Sequence, residues 1–100
     1  MIKLKTKEEI NILREGGRRH AEIMQSLVNM VRPGLSTKEL NIAVEKMIKE
    51  KGDEASILNF QPYGASRPYP ASVCISVNDE VVHGIPTENP LILNEGDIVS

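Results

Sequence analysis

Ser72-Val73-Cys74-Ile75-Ser76-Val77-Asn78-Asp79-Glu80-Val81-Val82-His83-Gly84-Ile85-Pro86 organises the second half of this 100-residue chain. Val73, Ile75 and Val77 alternate with Cys74 and Ser76, which is the period of a half-buried strand. Asn78-Asp79-Glu80 supplies turn residues, and Val81-Val82 predicts a returning strand. Gly84 permits a close approach of backbone to backbone, and Pro86 stiffens the exit. His83 therefore stands at the close of an apolar strand, with an imidazole that can donate or accept near neutral pH. A hydrogen-bonded structural histidine reads equally from these residues alone. The same holds for Cys74, which is either a small buried thiol or a nucleophile with His83 as the nearest base.

Upstream, Ser56-Ile57-Leu58-Asn59-Phe60 predicts a short strand. The loop Gln61-Pro62-Tyr63-Gly64-Ala65-Ser66-Arg67-Pro68-Tyr69-Pro70 follows and holds both tyrosines. A loop of this length inside a domain is a candidate binding loop. Downstream, Leu91-Ile92-Leu93, the turn Asn94-Glu95-Gly96-Asp97 and the start of a strand at Ile98-Val99 complete the pattern. That last apolar start predicts a sheet unfinished within these residues, which makes them part of a larger domain.

The first half is helical. Thr6 with Glu9 is a capping box, and Ile10, Leu13, Ile23, Met24, Leu27, Val28 and Val31 recur at helical spacing. Gly16-Gly17 interrupt this stripe, which predicts close packing on a neighbour or a slight bend. His20 has no acidic or histidine partner at helical offsets and reads as structural or surface. Arg32-Pro33-Gly34 stops the helix. Ser36 with Glu39 opens a second helix, with Leu40, Ala43, Val44, Met47 and Ile48 as its apolar stripe and Gly52 just past its end.

Composition bounds the function. Lys plus Arg is 12 and Asp plus Glu is 14, so the net charge is −2; no general basic field faces a phosphate backbone. Aromatic residues make up 3% with no Trp, which argues against a stacking platform for single-stranded nucleic acid. A single cysteine excludes an internal disulfide and a multi-thiolate metal cluster. No apolar run approaches a membrane span, and Met1-Ile2-Lys3-Leu4-Lys5-Thr6-Lys7 leads into Glu8-Glu9 instead of an apolar signal core. These features predict a cytoplasmic protein with no membrane or nucleic-acid partner. The acidic residues Asp79, Glu80, Glu95 and Asp97 all lie in turns and are not assigned as metal ligands.

The segment 72–86 closely resembles the type I methionine aminopeptidases. Asn94-Glu95-Gly96-Asp97-Ile98-Val99 is similar to the approach to that family's first metal-binding strand. Lys5-Thr6-Lys7-Glu8-Glu9-Ile10 with Leu13-Arg14-Glu15 is similar to its first helix, and Val31-Arg32-Pro33-Gly34 with Ser36-Thr37-Lys38-Glu39-Leu40 matches its helix connection. The resemblance implies an α+β chain: the N-terminal half of a pita-bread fold, with two helices packed on an antiparallel sheet. Residues 1–100 would form the N-terminal portion of one catalytic domain.

The resemblance further implies removal of initiator methionine from nascent chains, near the ribosome, by a monomer when complete. Two divalent ions (Co, Mn, Fe or Zn) would activate water and polarise the first peptide carbonyl. Their Asp, His and Glu ligands are expected beyond Ser100, so no residue here inherits a metal role. His83 matches the family histidine that contacts substrate near the scissile amide. Cys74, Tyr63 and Tyr69 resemble residues lining the pocket for the methionine side chain, where soft and apolar groups suit a thioether. The alternative is a non-catalytic pita-bread relative that binds peptides or proteins. Two aspartates beyond Ser100 would favour the enzyme, and their absence the binder.

Overall fold

Thr6 opens the first helix through the predicted capping box: its hydroxyl accepts the Glu9 N–H, and the Glu9 carboxylate accepts the Thr6 N–H at 2.8 Å. In the computed structural model, which describes residues 1–100, helix α1 runs Lys7–Met30. Val31 leaves the helical region, and Arg32-Pro33-Gly34-Leu35 makes a turn closed by Leu35 N–H on the Arg32 carbonyl at 3.2 Å. Pro33 at the second position and Gly34 at φ +89° fit a type II turn.

Helix α2, Thr37–Glu50, begins at Ser36, whose N–H donates to Glu39 at 2.8 Å. It ends in a Schellman motif. Gly52 at φ +74° donates to the Lys49 carbonyl, and Asp53 donates to the Ile48 carbonyl.

The core gathers Leu27 of α1, Leu35, Leu40 and Val44 of α2, and Ile75, Val77 and Leu93 from the second half. Leu40 is 1% exposed. The α2 stripe is buried at Leu40 and Val44, with Ala43, Met47 and Ile48 half-buried. The α1 stripe is buried only at Ile23 and Leu27, while Ile10, Leu13 and Val28 are exposed. Length accounts for Ile10 and Leu13: 24 residues make about 36 Å of helix against about 21 Å for the 14 of α2. The N-terminal turns of α1 have nothing beneath them. Gly16 and Gly17 have open space where a Cβ would stand, so close packing does not explain them.

The expected antiparallel sheet is absent. The chain has two helices and no strand, with isolated antiparallel bridges at Ser36–Ile92 and Val77–Val99. Side chains take the hydrogen bonds that a ladder would use. Ser76 Oγ accepts the Gly84 N–H at 3.1 Å, Asn78 Oδ1 accepts the Ile98 N–H at 3.0 Å, and Thr37 Oγ1 accepts the Leu91 N–H at 3.0 Å. Backbone conformation does the rest. Asn59, Asn78 and His83 all have positive φ, which breaks extension in each predicted strand or its turn.

Residues 56–60 are accordingly turns, and Val81 and Val82 project into solvent at 87% and 65% exposure. What pairing exists is short. Ser76 and Ser100 exchange two backbone bonds, and Asn78 N–H reaches the Ile98 carbonyl at 2.8 Å. Residues 91–93 pair with the 34–37 connection instead of with 73–77. Asn41 of α2, 4% exposed, fastens the two halves by accepting the Ser72 N–H at 2.9 Å.

Candidate peptide-binding site

The site is built on the close approach that Gly84 allows. A Cβ at Gly84 would lie 1.9 Å from the Ile75 carbonyl oxygen, so no other residue fits without displacing backbone. Ile75 N–H donates to the Gly84 carbonyl at 3.1 Å, and Pro86 is almost fully buried just beyond. The preceding residue, His83, is held at φ +59°. A non-glycine residue there costs about 1–2 kcal/mol, so the neighbours of Gly84 must fix it.

This conformation brings His83 and Cys74 together. Nδ1 lies 3.8 Å from Sγ, within hydrogen-bonding range for sulfur. The contact uses Nδ1, so Nε2 is the ring nitrogen available to a ligand. His83 is exposed and Cys74 half-buried. Tyr69 completes the cluster: its hydroxyl donates to the Gly84 carbonyl at 3.0 Å, with the Val73 carbonyl at 3.4 Å. Burial, with a smaller contribution from the Cys74 thiol, pushes the Tyr69 phenol well above its ordinary range. It is a donor throughout the physiological range.

Cys74 also lines an open cleft of about 600 Å³ between α1, α2 and residues 53–57, walled by Ile23, Met24, Val44, Ile48 and Ile57. A smaller, almost wholly apolar hollow of about 370 Å³ shares Met24, Leu27, Val73 and Cys74 with it. Cys74 thus lines apolar space while its thiol contacts an imidazole. At the cleft, Arg19 donates to Asp53 at 2.9 Å and to the Lys51 carbonyl, joining α1 to the end of α2.

Of the residues singled out from sequence, the fold gathers Cys74, Tyr69 and His83. Tyr63 is fully exposed in the loop and stands apart from them. His20 lines the cleft beside Cys74, a placement the sequence reading missed. The signal was there: Ile23, Met24 and Leu27 follow it at +3, +4 and +7, so it shares their face. Among these residues no group of three His, Cys, Asp or Glu side chains is arranged to hold a metal ion.

Comparison with known proteins finds relatives along the whole of this chain. Methionine aminopeptidase 1 of Bacillus subtilis is 43% identical over 100 residues, covering the whole of this chain and 37% of its own length. The methionine aminopeptidase of Aquifex aeolicus is 37% identical over 99 residues, which is 99% of this chain and 38% of that protein. The chain thus spans under two fifths of the length of these relatives. The crystal structure of methionine aminopeptidase from Rickettsia prowazekii superposes with a TM-score of 0.86 at 32% identity, over 99% of this chain and 37% of that one. The backbone path is therefore shared with that protein, although no ladder forms within residues 1–100. The sequence pattern of metallopeptidase family M24 matches residues 11–100, and the chain belongs to that family.

Proposed function

We propose that residues 1–100 are the substrate-gripping part of an aminopeptidase that removes N-terminal methionine, with His83 as the group that holds the peptide. The observation that carries this reading is the Cys74–His83 contact beside an apolar cleft, in a chain similar throughout to methionine aminopeptidases. Nε2 can donate to a peptide oxygen where charge develops during attack. The half-buried thiol and the apolar wall offer a soft surface to a thioether. Tyr63, out in solvent, has no part in that surface.

The family implies divalent metal, which supplies an activated water and a polarised carbonyl when bound. The donor set within residues 1–100 does not fit such a centre: the cluster is one thiol, one phenol and one imidazole, without carboxylates. We infer that the ligands of the two ions lie outside these residues, whose own work is to bind and orient the peptide. Nascent chains in the cytoplasm are the substrate this reading implies.

The division of labour is tested in two steps. The 100-residue chain supplied with Co²⁺, Mn²⁺ or Fe²⁺ is expected to leave Met-Ala-Ser intact, and clear turnover contradicts it. In an enzyme of the relatives' length carrying these residues, His83→Ala is expected to lower turnover about 100-fold with metal content intact. Loss of metal would make His83 a ligand. Unchanged turnover would remove its role in catalysis.

A further inference from the structure

We infer that Tyr69 is a positioning residue for His83: its hydroxyl, seated on the Gly84 carbonyl, holds the neighbouring left-handed residue so that the imidazole meets Cys74. This rests on the reading of His83 as the peptide-holding group. It differs from a pocket-lining role for Tyr69, because the hydroxyl is committed to backbone and not to a ligand.

His83 is strained. His83 has a β-carbon and φ +59°, a region that residues other than glycine occupy only when their surroundings impose it. His83 itself is exposed, so packing of its side chain does not supply the constraint. The constraint acts on Gly84. Its N–H donates to Ser76 Oγ at 3.1 Å, and its carbonyl accepts both the Ile75 N–H at 3.1 Å and the Tyr69 hydroxyl at 3.0 Å. Both acceptor positions of that carbonyl are filled, and both polar ends of the residue after His83 are fixed.

Tyr69 is itself anchored. Asn59 N–H donates to its carbonyl at 2.9 Å, and its own N–H donates to the Phe60 carbonyl at 2.9 Å. The loop around it is strapped to the chain beyond His83. Thr87 Oγ1 donates to the Pro70 carbonyl at 3.0 Å, and Arg67 forms a two-pronged ion pair with Glu88. The phenol therefore reaches Gly84 from a fixed base. Its proton stays in place because burial opposes ionisation.

The test reads His83 directly by NMR on the 100-residue chain. Two histidines are present, so His20, exposed on α1, is the internal reference. In the unsubstituted chain the His83 coupling constants and carbon shifts should report the left-handed conformation. In Tyr69→Phe, which keeps the ring and the Ile75–Gly84 bond, the ratio of left-handed to other conformers at His83 should fall by about threefold to tenfold, the worth of one ordinary hydrogen bond. The His83 ring signals should move while those of His20 stay.

Unaltered His83 signals in Tyr69→Phe would overturn the inference. So would loss of amide dispersion across the whole chain, since the phenol would then be holding the core. Failure of the functional reading looks different: Met-Ala-Ser added to the unsubstituted chain would leave His83 unmoved, whatever Tyr69→Phe does.

Discussion

Residues 6–52 and residues 53–100 solve the same problem, satisfying backbone hydrogen bonds, in opposite ways. The helical half satisfies them locally. Each helix has its own capping box, and α2 ends on its own Schellman motif. The second half has no ladder and relies on distant or side-chain partners: Ser76 for Gly84, Asn78 for Ile98, Thr37 for Leu91 and Asn41 for Ser72. The difference teaches where stability and function reside. The helices provide a platform, and the irregular half uses it to hold a strained histidine beside a thiol.

The largest effect expected on this contrast comes at Gly84. Gly84→Ala would drive a methyl into the Ile75 carbonyl, so we expect a loss of about 4 kcal/mol or more. Amide exchange should show the second half released first. A mild effect would mean that the 73–86 backbone is not closely opposed. Next, Leu40→Ala should cost about 3 kcal/mol, because the side chain is 1% exposed in the shared core. Leu13→Ala, on the unsupported part of α1, should cost under about 1 kcal/mol. Equal losses in denaturant titrations would contradict the uneven burial of α1 and α2.

The smallest effect is acid sensitivity. Arg18 and then Arg19 hold Glu15 at about 2, below its ordinary 4.5. In the second half, the Asn78 side chain and then the Asn94 backbone lower Asp97 from 3.8. A carboxyl with a depressed folded value adds stability above its ordinary value and loses it as pH falls through the folded one. Glu15 is exposed and its partners are charged, so its share of the loss below pH 4.5 should be small and should shrink at molar salt. Asp97 is half-buried and held by neutral donors, so its share should survive such salt and vanish in Asn78→Ala; a loss in Asn78→Ala that still survives salt would contradict this assignment.

Legibility followed the same division. Thr6, Glu9, Ser36, Glu39, Gly34 and Gly52 were readable because each acts within a few residues of itself. The need for Gly84 at a close approach was readable too, since a lone glycine at the end of an apolar run has few other uses. Alternation at 73–77 does not mark a ladder here: Ile75, Ser76 and Val77 are all buried. The bonds that replace the ladder come from Ser76, Asn78 and Thr37, whose partners lie 8, 20 and 54 residues away. His83 gave no sign of its left-handed backbone, and nothing in the loop predicted that Tyr69 would reach Gly84 while Tyr63 would not. His20 was passed over for want of a metal partner, although its helical register with Ile23, Met24 and Leu27 placed it on the cleft.

Exposed apolar side chains are a further consequence. Val81, Ile98 and Ile12 stand largely in solvent, so the 100-residue chain is expected to self-associate as concentration rises. A monomer at all concentrations by sedimentation would contradict this.

The most direct measurement is a titration of the uniformly isotope-labelled chain with Met-Ala-Ser followed by NMR. The His83 ring signals are expected to shift together with Cys74 and Tyr69, saturably, and an acetylated peptide should do less. Shifts confined to His20, or none at either histidine, would contradict a peptide held by His83.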